Sequence, residues 1–395
     1  MQIVYPEIIL KKGREKSLLR GHPWLFSGAI AQSKGQPAAG DIVLAREFSG
    51  KPLALGFYNP QTDIAFRLLT RNWQKEIGAD FWRERVQAAV ALRSRIINGQ
   101  TDAYRLINAE GDGFPGLIAD IYGRTIVLSI ATAGIEKQKK YIFDSLLALT
   151  QARRIYEQSE GRSRKLEGLE NFRGFISGDN ESGLAAIREN GLKFEVDFIG
   201  GQKTGFFLDQ RQNREILGKI SSGARVLNCF CYTGAFSVYC AAGGAREVIS
   251  VDISKTAGAA VRRHLELNNF SGIDNPVLEV DVFDYLRQTG EFFDLIILDP
   301  PAFAKTKHDV SKAARGYKEI NLQAVKRLAL GGILATFSCS NFIEEELFTR
   351  IVLGAARDAG ADIQLLQKLQ AGPDHPSALG HQEGTYLKGL LLTKR

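Results

Sequence analysis

Long apolar stretches are missing from this 395-residue chain, and none reaches the roughly 18 residues that a membrane-spanning helix requires. The opening Met1-Gln2-Ile3-Val4-Tyr5-Pro6 lacks the basic-then-apolar layout of a signal peptide, so a cytoplasmic location without a membrane partner is expected. Cysteine is scarce. Cys229, Cys231, Cys240 and Cys339 are too few and too unevenly spaced for a disulfide framework and read as reduced thiols. The five histidines are scattered, and H-E-x-x-H, G-x-S-x-G and paired C-x-x-C patterns are absent, so metal and serine-hydrolase chemistry lack support and no metal is expected. Gly201-Gln202-Lys203-Thr204 fails as a phosphate loop because Gln202 stands where glycine is required.

What is present is ordinary globular composition, 44% apolar and 24% charged, over a length that predicts two or three domains. The net charge of +7 is concentrated at one end. Residues 1–75 carry eleven Lys and Arg against five Asp and Glu, a balance suited to a polyanion such as RNA; a solvated basic face is the alternative.

Short strand-like segments cut by turns, at residues 8–10, 23–26, 41–45, 53–57 and 64–69, predict a small barrel or sandwich. A helix at 80–97, strand-like stretches from 105 to 130 and on to 198, and a helix at 136–149 predict a middle α+β domain. Beyond residue 206 the pattern alternates strictly. Strands are expected at 225–229, 247–252, 277–280, 294–298 and 333–338, and helices at 235–242, 254–269, 284–288, 311–330 and 344–360. Two further strands follow, at 361–370 and 386–393, the last antiparallel. This is a doubly wound α/β sheet, which binds ligands beyond the carboxyl ends of its strands. The boundaries expected are 1–75, 76–195 and 196–395.

Each strand end there carries chemistry. After the first comes Asn228-Cys229-Phe230-Cys231-Tyr232-Thr233-Gly234, where Gly234 lets backbone approach a ligand at a helix N-terminus. This loop lacks the G-x-G-x-x-G of dinucleotide binders. Asp252 ends the second strand, where a carboxylate can accept hydrogen bonds from ribose hydroxyls. Asp281-Val282 after the third suits an adenine amino group and ring face, and Asp299-Pro300-Pro301-Ala302-Phe303 follows the fourth. One such aspartate is most simply a helix N-cap, but the series points to a nucleoside without phosphates, S-adenosylmethionine. Cys229, Cys231 and Cys240 read as packing near that cofactor.

Leu10–Gly28 with its Lys-Lys-Gly-Arg and Gly-His-Pro-Trp runs, Lys203–Arg211, Asn228–Phe236, Asp299–Phe303, Arg315–Lys318, Phe337–Ser340 and Tyr386–Gly389 together resemble the bacterial ribosomal RNA large subunit methyltransferase I family over essentially the whole chain. The resemblance implies a PUA-like RNA-binding domain at 1–75, a middle domain at 76–195, and a class I, Rossmann-like methyltransferase domain at 196–395. It implies methylation of cytosine C5 in large-subunit ribosomal RNA. Cys231 and Ala235 depart mildly from the family pattern. The cofactor residues implied are Gln210, Arg211, Asn228, Cys231, Tyr232, Thr233, Gly234, Asp252, Ile253, Asp281, Val282 and Asp299, and the RNA-binding ones Lys12, Arg14, Arg20, His22, Trp24, Phe303 and Lys305. His22 and Trp24 fit core packing equally well. Arg153-Arg154 and Arg162, Arg164 and Lys165 are candidates to extend an RNA track, and fit a solvated face equally well. The partners are ribosomal RNA and, as the oligomer considered, a second copy of the chain.

Cytosine C5 is a poor nucleophile, so a thiolate must first add to C6. Cys339, between two serines at the end of the fifth strand, is the candidate, with Asp299 hydrogen-bonding the cytosine edge and Phe303 stacking on an extruded base. Two rivals stay open: methylation of a base nitrogen, which needs no thiol, and a noncatalytic RNA-binding assembly factor.

Overall fold

The computed structural model describes residues 4–178, 182–270 and 274–395; residues 1–3, where the first expected domain begins, lie outside the described residues. The chain divides into one unit of Met1–Ile187, Val196–Phe206 and Pro373–Thr385 and another of Arg188–Glu195, Phe207–Gly372 and Tyr386–Arg395.

The first unit holds a six-stranded sheet in the spatial order Trp24–Phe26, Ile64–Thr70, Pro52–Tyr58, Asp41–Arg46, Glu7–Leu10, Ile30–Lys34. Every pairing is antiparallel except Glu7–Leu10 with Asp41–Arg46. Period-two alternation makes the strands: Ile8 and Leu10 are buried while Glu7 and Ile9 are half exposed. All five expected strands form. Ile30–Lys34 is an addition, and the reason is physical: it is an edge strand with four of its five residues exposed, so its sequence has no apolar alternation to read.

A five-stranded sheet, ordered Phe172–Ser177, Arg154–Ser159, Thr125–Ile130, Leu117–Tyr122, Ala103–Asn108, follows with helices Ala79–Ile96 and Ala133–Leu149. Trp82 of the first helix stacks on Phe57 of the six-stranded sheet, ring centroids 6.2 Å apart. Leu44, Leu55, Phe57, Trp82 and Phe114 lie in one apolar core, so the two sheets are not separately filled.

The second unit is built on β1 (Arg225–Cys229), β2 (Glu247–Val251), β3 (Val277–Leu278), β4 (Phe293–Leu298), β5 (Leu328–Ser338), β6 (Ile363–Leu369) and β7 (Lys388–Lys394). Their spatial order is 3-2-1-4-5-7-6, with β7 antiparallel to both its neighbours and the other pairings parallel. Val226, Leu227 and Leu295–Leu298 are buried, as central parallel strands require. Helices Ala235–Ala242, Lys255–Leu267, Val282–Gln288, Val310–Arg327 and Glu345–Asp358 connect the strands.

Two expectations need correction. The third strand has two residues rather than four. The helix expected to reach Leu330 stops at Arg327, and β5 begins at once. Leu328 pairs with Phe293 and Ile333 with Leu295, so residues 329–332 bulge out around Gly331 (φ +77°), leaving Leu330 80% exposed.

Candidate active site

The crevice beyond the strand ends of the second unit begins with a strained turn. Phe230, Tyr232 and Gly234 have φ of 57°, 47° and 74°, and two of them are not glycine. A left-handed residue with a side chain costs about 1–2 kcal/mol and persists only where its surroundings hold it. Here the Cys231 N–H donates to the Val251 carbonyl (3.1 Å), the Gly234 N–H to the Cys231 carbonyl (2.8 Å), and the Tyr232 N–H to Asp252 Oδ2 (2.9 Å). Asp252 Oδ1 accepts the Ser254 N–H at 3.0 Å. A carboxylate has about four acceptor positions, so two remain for vicinal hydroxyls after both backbone bonds are made. Ile253, next along, is 71% exposed, an aliphatic face standing in solvent beside that carboxylate.

Gly234 has a second reason to be glycine. A Cβ there would lie 2.8 Å from Val261, so helix Lys255–Leu267 packs directly on the turn. The same helix supplies His264, whose Nδ1 meets the Thr233 carbonyl at 2.7 Å while Nε2 accepts the Glu195 N–H at 3.0 Å. Burial pushes its pKa down, which suits a neutral ring bracing the loop. Sequence reasoning passed over His264; its place on the buried face with Val261 and Leu265 was the available signal.

Asn228 is buried, donates from Nδ2 to Ser237 Oγ (2.8 Å), and has Oδ1 without a hydrogen-bond partner. Cys231 is buried, and burial, then Asp252, pushes its thiol pKa up. Gln210 and Arg211 are buried at the start of helix Arg211–Lys219; Gln210 Oε1 accepts from Asn213 Nδ2 at 2.6 Å. Phe207 meets the Tyr232 ring edge-on at 5.2 Å, which brings this segment to the β1 turn. At the third strand, Asp281 caps helix Val282–Gln288 through the Asp284 N–H, and Val282 is buried in the core, leaving Val280 as the exposed aliphatic. The acceptors and the apolar face fit a nucleoside: a braced carboxylate, an unpartnered amide oxygen and an exposed aliphatic side chain. Among the described residues no group of three or more His, Cys, Asp or Glu is arranged to hold a metal. A groove of about 850 Å³ on the sheet flank, reaching from Arg225 and Glu247 to Val280 and Asp281, starts at the opposite strand ends, and Arg225 there pairs with Glu247 and Glu291.

Cys339 lies across the crevice, part exposed, its Sγ 3.9 Å from the Pro300 carbonyl in the Asp299-Pro300-Pro301 turn. Its two serine neighbours are both tied to one group. Ser338 Oγ donates to the Tyr317 hydroxyl at 3.0 Å, and that hydroxyl lies 3.0 Å from Ser340 Oγ. Burial raises the Tyr317 pKa and keeps it a neutral phenol. The Ala304 N–H donates to Ser340 Oγ, and Lys388 Nζ to the Ser340 carbonyl at 2.8 Å. Neither Tyr317 nor Lys388 was singled out from sequence, although each lies in a segment carrying the family resemblance. Phe303 is half-buried, with ring centroids 4.6 Å from Tyr317, 6.1 Å from Phe283 and 6.5 Å from Phe230; Lys305 is exposed.

In the first unit Lys12, Arg14 and Arg20 are exposed. His22 and Trp24 do not stand beside them as open surfaces. The Trp24 indole N–H donates to Glu110 (2.8 Å), its ring takes His381 edge-on at 4.4 Å and Arg67 at 5.3 Å, and His22 Nε2 is 3.4 Å from Glu383. Arg164, a candidate for an extended RNA track, is buried against Glu136 and the Ile130 carbonyl.

A family model described as S-adenosylmethionine-dependent methyltransferase matches residues 145–392, and one described as a PUA-like domain matches residues 8–71. Proteins named ribosomal RNA large subunit methyltransferase I are 44% identical in Aeromonas salmonicida, over 98% of this chain and 99% of that one, and 43% identical in Photobacterium profundum, over 97% and 98%. Among solved structures, a Streptococcus mutans protein described as a SAM-dependent methyltransferase superposes with a TM-score of 0.83 at 24% identity, covering 98% of this chain and all of that one. A methyltransferase crystallised with SAH gives 0.84 at 24% identity, over 98% and 100%. At that identity the two structures speak for the fold.

Proposed function

We propose that this chain, which belongs to the ribosomal RNA large subunit methyltransferase I family of S-adenosylmethionine-dependent methyltransferases, methylates cytosine C5 in large-subunit ribosomal RNA through a Cys339 adduct at C6. The observation that carries the C5 reading is the over-determined Ser338-Cys339-Ser340 turn, which presents a part-exposed thiol beside Asp299-Pro300 at the sheet crevice.

When bound, S-adenosylmethionine supplies an electrophilic methyl group. Asp252, Ile253, Asn228 and the 230–234 turn are the residues to hold its nucleoside, with Gln210, Arg211, Thr233 and Asp281 around them. The chain's own chemistry begins with the Cys339 thiolate, whose sulfur forms a bond to cytosine C6 and pushes electron density to C5. Asp299 accepts from the cytosine amino group or, when transiently protonated, donates to N3 and so steadies the charge that reaches the ring as the sulfur adds. After C5 is methylated, its proton leaves to Asp299 or to water, the C5–C6 double bond re-forms, and the sulfur departs as thiolate. Tyr317 keeps the turn in place throughout. Comparing large-subunit RNA from cells with and without this protein tests the reading: one 5-methylcytosine should disappear, whereas loss of a nitrogen-methylated base would overturn it.

RNA binding is assigned to residues 1–75, transfer to 196–395, and the region between, 76–195, is the middle domain. Because Lys12, Arg14 and Arg20 are exposed, while Trp24 and His22 are half-buried and engaged with Glu110, His381 and Glu383, phosphate contacts carry the assignment rather than base stacking. Replacing the three by glutamine should weaken RNA binding and lower the slope of log affinity against log salt by about 2, at roughly 0.7–0.9 per phosphate contact. An unchanged slope removes the assignment. The reading includes a cytoplasmic location and a homodimer. The edge strand β6, with Leu365 and Leu366 half exposed, is the apolar surface that supports the dimer.

A further inference from the structure

We propose that Lys388 is a positioning residue whose ammonium group holds Cys339 as its thiolate, a deepening of the reading above that rests on it only for the use the thiolate is put to. The geometry begins with the sheet. β7 runs antiparallel to β5, and its first residue, Lys388, pairs with Ser338. From opposite the residue before Cys339, the side chain reaches forward to donate Nζ–H to the carbonyl of the residue after it, Ser340. The ammonium therefore spans the backbone that carries the thiol. Lys388 is only 9% exposed, and a cation so placed needs a nearby negative charge to stay ionised.

Among the described residues, the titratable groups facing this pair include Glu345, Tyr317 and Asp299. Burial pulls the Lys388 pKa down, while Cys339 and Glu345 act to hold it up. Glu345, at the start of helix Glu345–Asp358, also pairs with Lys368 at 2.5 Å, which divides its charge. Tyr317, from helix Val310–Arg327, faces Cys339 as a neutral phenol. Asp299, the residue after β4, is next to Pro300, whose carbonyl Cys339 Sγ approaches, and as a carboxylate it would oppose an anion there. Interaction between two ionisable groups is mutual, so a thiolate that stabilises the Lys388 cation is stabilised by it in turn. Cys229, Cys231 and Cys240 have no such neighbour among the causes acting on them. Burial dominates for all three and pushes each thiol up, Cys240 to about 12.

The test is the pH dependence of iodoacetamide alkylation at Cys339 in the full-length protein, read by peptide mass spectrometry, with Cys339→Ala as the blank. Wild type should show an inflection below the ordinary thiol value of about 8.5. In Lys388→Gln, which keeps a donor for the Ser340 carbonyl but no charge, alkylation at pH 7 should slow about tenfold and the inflection rise by about one pH unit. Lys388→Arg should behave as wild type. A shared inflection in wild type and a folded Lys388→Gln overturns the proposal, and so does a wild-type inflection at or above the ordinary thiol value, which needs no variant. RNA methylation is not part of the readout. Failure of the adduct chemistry thus leaves this result standing, and an unmoved inflection removes this proposal alone.

Discussion

Cys339→Ala is expected to bind S-adenosylmethionine as wild type does, melt at the wild-type temperature, and lose methyl transfer to RNA by on the order of 10³-fold or more, the scale on which removing a covalent nucleophile acts. The turn is held by the flanking serines, Tyr317 and Lys388, and the contact of Cys339 Sγ with the Pro300 carbonyl, at 3.9 Å, is a weak one whose loss the fold should absorb. Serine should not rescue. A hydroxyl is a far weaker acid than a thiol, and the sequence motifs of this crevice contain no histidine to act as its base. RNA with 5-fluorocytosine at the target should trap wild type as a covalent adduct, because fluorine replaces the proton that must leave C5, and the alanine variant should form none. Methylation by Cys339→Ala at near the wild-type rate would sink the thiol mechanism and return the nitrogen-methyltransferase reading.

The second large effect is on stability. Arg214 and Glu189 form a two-pronged ion pair, Nε to Oε1 at 2.8 Å and Nη2 to Oε2 at 2.6 Å, with side chains 2% and 0% exposed. Arg214 Nη1 also donates to the Phe207 carbonyl at 2.9 Å, and the Tyr239 hydroxyl to the Glu189 carbonyl at 3.2 Å. Burial disfavours the guanidinium charge, yet Glu189 keeps the Arg214 pKa above its ordinary value. Arg214→Met would strand a buried carboxylate, and a loss of about 3–5 kcal/mol in urea unfolding is expected. Arg214→Met with Glu189→Met should recover most of it, since an apolar pair of similar volume is near neutral in such a place. A single-variant loss below about 1 kcal/mol would show the pair to be solvated in solution. The same bond steadies Phe207, so weaker cofactor binding should accompany the loss.

The parts of this site that sequence revealed are those whose meaning is local. Asp252 and Cys339 were legible because an apolar run followed by a polar residue marks a strand end, and strand ends in an alternating α/β pattern converge. Asp281 was legible too, with the reading weighed as the ordinary one for an aspartate, a helix cap, found in the structure. Lys388 was not: the antiparallel direction of the last strand was expected, but its position against Cys339 exists only once β7 lies beside β5, and no spacing along the chain encodes that neighbour. Tyr317 looks from sequence like any aromatic on a helix, and His264 like any histidine. Boundaries slipped near glycine, as at Gly331, where Leu328, Ala329 and Leu330, expected to prolong the helix, belong to β5 and the last two lie in its bulge. Trp24 carried an aromatic stacking expectation that its bond to Glu110 redirects inward.

The core shared by Phe57 and Trp82 bears on how such a protein can be taken apart or reassembled. Recognition modules are commonly pictured as cassettes, cut at a linker and spliced onto new catalytic partners. Cutting near residue 75 would leave Leu44, Leu55 and Phe57 facing water on one fragment and Trp82 and Phe114 on the other, so neither piece would inherit a finished interior. The heritable module is the pair of sheets together.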